Sequence, residues 1–386
     1  MPRRYATRRM HLPARASAVG RARMAVRPLT RPPVEVPAAP TGTRRRLTGL
    51  LLGAGAFFLF ILAIELLKTG ARGLAGILQG LSVHGVANVL GFGWVMAYLA
   101  MSGSPVAAVS LTLLGGGLLS PLETFAMVNG SRFGASFIVL FTGFVYYLRG
   151  HRGRGVVSMG VLSMVTTATI YLPAMALGAL ALQAGWLDGV RFGSPALLAS
   201  VIDLLFDPLT AAARVHLPGL AVFALGFATM LGAFRLFDRL LPEVRSDIVE
   251  QRWGRWLARP FTTFALGLLV TSVTLSVSVS LSLLVPLAAR GYIRRGHVIP
   301  YIMGANISTF ADTLFASLLV RTPVAFTIVL TEMVSVALVS LAVLVLGFRP
   351  YRDALLAFNK RVTTSRLRFS LFVAALALVP LALLLL

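Results

Sequence analysis

Residues 101–117 read MSGSPVAAVSLTLLGGG, and 174 positions later residues 275–291 read LSVSVSLSLLVPLAARG. Both sit in long apolar stretches, Val86–Gly117 and Phe261–Ala289. Each carries a Ser-x-Ser where a straight membrane-crossing helix has no use for hydroxyls: Ser102 and Ser104 in the first, Ser276 and Ser278 in the second. A helical hairpin that enters the bilayer and turns back does need them. Its turn bares backbone groups that hydrocarbon cannot satisfy. Both stretches are therefore expected to be re-entrant hairpins.

The same offset reaches further. Gly117 falls on Gly291, Gly93 on Gly267 and Phe60 on Phe234, and the run GSRFG at 130–134 falls on GANIS at 304–308. One coincidence among abundant glycines and serines would mean little, but a constant offset without gaps marks a duplicated unit.

Composition sets the class. Of 386 residues, 57% are hydrophobic and 13% charged, whereas soluble domains run at about half apolar and a quarter charged. Besides the two hairpins, apolar segments fall at 49–67, 121–148, 155–184, 195–213, 217–241, 298–320, 323–346 and 368–386. Several reach the roughly 20 residues needed to cross a bilayer. The sequence predicts an all-α polytopic membrane protein with about seven full spans, taking 195–213 as non-crossing.

The net charge of +23 does not form one basic face. Basic residues flank the apolar segments, as the positive-inside rule produces, so no nucleic-acid partner is expected. The chain contains no cysteine, which removes thiol catalysis and cysteine metal sites, and its five histidines have no metal-ligand spacing. No catalytic motif is present: there is no G-x-S-x-G, no H-E-x-x-H and no phosphate loop. The prediction is that the chain is not an enzyme and has no cofactor.

Treating the hairpins as non-crossing leaves three crossings between the start of one copy and the start of the next. An odd number inverts the second copy. The basic residues agree with this. One face collects the N-terminal arginines, Arg149–Arg154, Arg245–Arg259, Arg290–Arg295 and Arg349–Arg368, and the other only Lys68, Arg72, Arg191, Arg214 and Arg321. The N-terminus is thus expected to be cytoplasmic in a cell membrane. The expected organisation is a basic disordered tail (1–48), repeat 1 (49–185), a connector (186–216), repeat 2 (217–348), and a basic loop with a C-terminal transmembrane helix (349–386). The tail also reads as a transit peptide, a lipid-touching basic arm, or a sequence whose start is Met10 or Met24. Inverted repeats with broken helices are a secondary-transporter architecture, with the site where the copies meet at the midplane.

These stretches resemble the type II sodium–phosphate cotransporter family, in which each inverted repeat carries a QSSS hairpin tip, a glycine and a GANIGT-like turn. The first tip corresponds to Met101-Ser102-Gly103-Ser104 and the second to Leu275-Ser276-Val277-Ser278. Both glutamines are replaced. The second turn is nearly intact as Gly304-Ala305-Asn306-Ile307-Ser308-Thr309, whereas the first has Arg132 in place of asparagine. The resemblance implies a symporter of phosphate, or a similar small oxyanion, coupled to sodium, with Asn306 and Thr309 as sodium ligands. Proton coupling, another anion, and a scaffold or receptor that has lost transport are the alternatives.

The residues carry their own reading. Ser102, Ser104, Ser276 and Ser278 supply hydroxyls for an anion, or merely bond their own backbone. Arg132 within a span costs about 3 kcal/mol on insertion scales; its planar fork suits an oxyanion, or it stands as a tethered cation for one sodium. Asn306, Ser308 and Thr309 offer neutral oxygens to a coupling ion. Asp312 balances Arg132, ligates a cation or carries a proton. Glu332 is a weaker candidate, expected to face an interface.

Overall fold

The computed structural model describes residues 43–80, 83–148, 154–193, 195–240, 259–274, 277, 280–281 and 295–386. The chain divides into two compact units, Met1–Arg45 and Arg46–Leu386. Residues 1–42, most of the predicted disordered tail, lie outside the described residues, whereas 43–48 are helical at the start of α1; the fold below is that of the second unit. Ser276 and Ser278 also lie outside the described residues.

Every regular element among the described residues is helical. Repeat 1 contains α1 (Thr43–Gly80), α2 (Val86–Ala100), α3 (Ser104–Gly115), α4 (Pro121–Leu148) and α5 (Arg154–Gln183). Next come α6 (Ala196–His216), α7 (Gly219–Leu240), α8 (Pro260–Thr274), α9 (Arg295–Ser308), α10 (Phe310–Leu319) and α11 (Pro323–Leu346). The chain ends in α12 (Phe348–Thr364) and α13 (Arg366–Leu384). Seven stretches are long and apolar enough to cross a membrane, in α1, α4, α5, α7, α9–α10, α11 and α13. Helix α6 is not among them.

The 174-residue shift carries α2 onto α8 residue for residue, and the start of α4 onto the start of α9. Packing repeats as well. A methyl group on Gly130 would lie 2.1 Å from the Leu90 carbonyl oxygen, and one on Gly304 would lie 2.0 Å from that of Phe264. Gly93 meets the Met127 carbonyl and Gly267 the Tyr301 carbonyl in the same way. These four contacts are two pairs at the same offset, so the glycines let the helices touch backbone to backbone, as small residues do in membranes.

The same contacts fix direction. Along α2 and α4, Gly93 pairs with Met127, Trp94 with Phe133 and Tyr98 with Phe137, so the two helices run parallel. Two parallel neighbours need a return segment between them, and α3 supplies it. At 1.5 Å per residue α2 is only about 22 Å long, short of a hydrocarbon core of about 30 Å. The chain turns at Met101–Gly103 and comes back, which is a re-entrant hairpin. Gly103 lies against the Ser131 carbonyl and Ala135, close to the midpoint of α4, which places the turn at depth. Met101 closes α2 in the left-handed region (φ 50°).

Helices α1 and α7 are equivalents under the shift, and they pack antiparallel. Gly70 abuts Phe223, Gly73 abuts Gly219, and Gly226 abuts Leu67. The rings of Phe60 and Phe234, positions equivalent in the two copies, meet edge to face at 5.6 Å. When equivalent helices run antiparallel and a residue touches its own counterpart, the relating axis lies across the helices. The second copy is upside down relative to the first.

Hairpin 1 is fastened at its open end. Ser120 and Glu123 form a capping box at the start of α4: the Ser120 amide donates to Glu123 Oε2 (2.8 Å) and the Glu123 amide to Ser120 Oγ (3.3 Å). Glu123 Oε1 accepts from the Gly85 amide at the start of α2 (2.9 Å). On its outer side α2 is covered by α13, where Asn88 donates to the Leu384 carbonyl and Tyr98 to that of Leu376.

One sequence expectation is corrected. The basic stretch after residue 348 forms a helix, not a loop. Phe348, Leu355, Asn359 and Val362 fall on one face and are buried, with Asn359 donating to Ser158 Oγ (2.7 Å). An amphipathic helix with a polar outer face lies along an interface.

Candidate functional site

The two copies meet where α3 and α4 of the first face α10 of the second. Arg132 projects from α4 and is 3% exposed. Its Nη1 donates to Thr309 Oγ1 (3.2 Å) and its Nη2 to Thr313 Oγ1 (2.5 Å). Thr313 passes the connection on, donating to Asp312 Oδ1 (2.9 Å), while Arg132 Nη2 itself stands 4.0 Å from that oxygen. The guanidinium lies over the Phe310 ring, 4.8 Å from its centroid, a cation–π contact that partly replaces hydration. Ser104, at the start of α3, adds a polar contact to the Asp312 carboxylate. Hairpin tip, spanning helix and opposite repeat thus converge on one buried ion pair.

Two atoms of this pair remain unsatisfied. Among the described residues, Arg132 Nε and Asp312 Oδ2 are buried and meet no hydrogen-bond partner. Leaving buried charged groups short of partners is costly, and functional sites are where such costs are carried. A donor of the guanidinium edge and a carboxylate oxygen are both available to something that binds there.

Local structure explains the placement. The helix that is continuous as α4 in repeat 1 is interrupted at Thr309 in repeat 2, between α9 and α10, although the Thr309 backbone stays right-handed (φ −63°, ψ −14°) and its amide still donates to the Ala305 carbonyl (3.1 Å). Near the break, the Asn306 carbonyl accepts from the Tyr171 hydroxyl (2.9 Å). The Asn306 side chain donates to Thr167 Oγ1 (3.0 Å). Tyr171 is fully buried and wedged between Phe133 and Phe310, so α5 props the break from behind.

The predicted residues fall into distinct positions. Ser104, Arg132, Thr309 and Asp312 come together. Asn306 is one turn away and turned towards α5. Ser308 points its hydroxyl at its own helix carbonyls, Gly304 and Ala305, at 3.4 Å each. Ser102 is half-buried at the turn, its amide donating to the Ala97 carbonyl (3.2 Å).

Residues 229–386 match the family model for Na+/Pi-cotransporters. Over that stretch, which is less than half of the chain, the sequence is similar to the Na+/Pi-cotransporter family. The family is one of transporters and not of enzymes. The matched stretch holds the GANIST turn, Thr309, Asp312 and Thr313; Arg132 and Ser104 enter the same site from the other repeat. No curated protein and no solved structure gives a match.

Three participants were not singled out from sequence. Thr313 bridges the ion pair, Tyr171 supports the break, and Phe310 lies under the guanidinium. Their only signal was position, in FADT directly after the GANIST turn and in the apolar run around Tyr171. Glu332 is corrected: it does not face an interface but is 1% exposed near the middle of α11, and among the described residues neither of its carboxylate oxygens is hydrogen-bonded.

Outside the spans a second ion pair joins α6 to the α10–α11 turn. Arg321 donates to both carboxylate oxygens of Asp203 and to the Ala199 carbonyl. The guanidinium holds the Asp203 carboxyl below the usual carboxylate range.

Proposed function

We propose that this protein is a secondary active symporter that carries inorganic phosphate, or a similar small oxyanion, into the cell with sodium as the coupling ion. The observation that carries the reading is the buried Arg132–Thr313–Asp312 relay, shared by two repeats that run in opposite directions. A guanidinium with an unsatisfied Nε gives an oxyanion a charge-assisted donor in a low-dielectric setting. The hydroxyls of Ser102, Ser104, Ser276 and Ser278 add neutral donors from the two tips. Asn306, Ser308, Thr309 and Asp312 belong to the coupling side, where hard oxygen ligands suit an alkali ion, with Asn306 and Thr309 the direct sodium ligands. Thr309 touches both sides, because it accepts from Arg132.

In this mechanism cation binding near Asp312 loosens its hold on Arg132 and frees the fork for the anion. Each ligand is then bound better when the other is present, a coupling that is reciprocal. Rocking of repeat 1 (49–185) against repeat 2 (217–348), joined through 186–216, exposes the site alternately to each face. The protein resides in the cell membrane with its N-terminus cytoplasmic and the residues before α1 as a basic tail; the arginine distribution supports that orientation.

Radiolabelled phosphate uptake into proteoliposomes, with and without an inward sodium gradient, tests the proposal. Sodium-dependent accumulation is expected. Accumulation indifferent to sodium but abolished by Asp312→Asn would assign coupling to protons. The absence of uptake under any gradient would leave a scaffold or receptor role.

A further inference from the structure

The elbow between α12 and α13 has no part in the site above, and its composition is unusual. From Gly347 to the C-terminus the only acidic side chain is Asp353, against Arg349, Arg352, Lys360, Arg361, Arg366 and Arg368. Asp353 is already taken by Arg352, 2.8 Å away. Among the described residues no carboxylate pairs with Lys360, Arg361, Arg366 or Arg368. A groove of about 650 Å³ opens at this elbow, lined by Phe358, Arg361, Val362, Arg368, Leu371 and Phe372. Its lining combines four apolar side chains with two arginines. Phe358 and Phe372 meet edge to face at 6.3 Å across the elbow.

Position decides what such a groove would take. Helix α13 is a candidate span that leaves most of its side chains exposed, so its first turn marks the level where hydrocarbon gives way to headgroups. Helix α12 lies beside the beginnings of α5 and α9, with Asn359 on Ser158 and Arg352 against Gly296. Cations at headgroup level attract acidic lipids, and Leu371 with the two phenylalanines continues into the depth an acyl chain would occupy. A free anion would have no use for that wall.

We infer that the α12–α13 elbow is a binding site for an anionic glycerophospholipid, whose phosphate is held by Arg361 and Arg368 and whose acyl chain lies along Phe358, Leu371 and Phe372. The inference does not depend on which solute the protein transports.

Native mass spectrometry of the purified full-length protein, offered equimolar phosphatidylglycerol and phosphatidylcholine, tests it. Phosphatidylglycerol should be retained preferentially. The double variant Arg361→Ala/Arg368→Ala should lose roughly thirtyfold of that preference, about fivefold per arginine, whereas Arg361→Lys/Arg368→Lys keeps most of it. A photo-crosslinkable phosphatidylglycerol on the unmodified protein guards against a variant that misfolds, and it should label residues 358–372. Equal retention of the two lipids, crosslinks confined to other helices, or displacement of phosphatidylglycerol by millimolar inorganic phosphate would each overturn the assignment.

Discussion

Removing Arg132 gives the sharpest test of how the two repeats are joined. In Arg132→Ala, Asp312 keeps the Thr313 hydroxyl but loses the cation that pairs with it among the described residues. Both side chains are at least nine-tenths buried, so solvent cannot compensate. Breaking one partner of a buried pair costs about 3–5 kcal/mol, chiefly because the remaining charge is stranded. Asp312→Asn should cost less, since Arg132 retains Thr309, Thr313 and the Phe310 ring; about 1–3 kcal/mol covers the loss of a charged hydrogen-bond partner. In the double variant no charge is stranded, so its cost should fall short of the sum of the singles by at least about 1 kcal/mol, the coupling expected of directly interacting residues. The assay is thermal unfolding of all four proteins in one detergent, each point taken with and without phosphate. Strict additivity of the two substitutions would refute the relay: the residues would then be neighbours without an energetic connection, and the convergence of the repeats would lose its electrostatic basis.

Three further outcomes follow from the geometry. Gly130→Ala and Gly304→Ala should both destabilise strongly and to a similar extent, because each methyl group would meet a backbone carbonyl near 2 Å; folded yield on size exclusion reads this. Met101→Gly should stabilise by about 1 kcal/mol, because glycine adopts φ 50° without the steric penalty that methionine carries; the apparent melting temperature checks it. The Asp203–Arg321 pair should give an acid-side dependence. Since the folded Asp203 value lies below the unfolded one, its contribution is present above about pH 4 and is lost as pH falls through the folded value, so the melting-temperature gap between the native protein and Asp203→Asn should close on acidification.

The inversion can be tested without touching the site. Because the chain has no cysteine, single cysteines report position cleanly. Thr48→Cys and His216→Cys place exposed thiols beside the starts of α1 and α7. With those helices antiparallel, a membrane-impermeant maleimide applied to intact cells should label His216→Cys and spare Thr48→Cys, and lysis should make both reactive. Labelling of both in intact cells would contradict the inverted arrangement.

What could be read from sequence divides along a physical line. The repeat was legible because a shift without gaps preserves glycines where helices touch, and those glycines report a contact rather than a composition: Gly93 with Gly267, and Gly130 with Gly304. Depth was legible too, since hydroxyls in a long apolar run mark a broken helix. The facing of residues inside the bundle was not. Helix α11, PVAFTIVLTEMVSVALVSLAVLVL, is apolar all round, and such a helix offers no stripe from which to tell core from lipid. Glu332 therefore read as interfacial although packing buries it. In the same way Asn306, Ser308 and Thr309 are neighbouring polar positions of one turn, and nothing in their order tells that Thr309 meets Arg132 while Ser308 bonds its own helix. Polarity can be read off a membrane sequence; direction is set by the helix opposite, and at this site that helix comes from the other, inverted half of the chain.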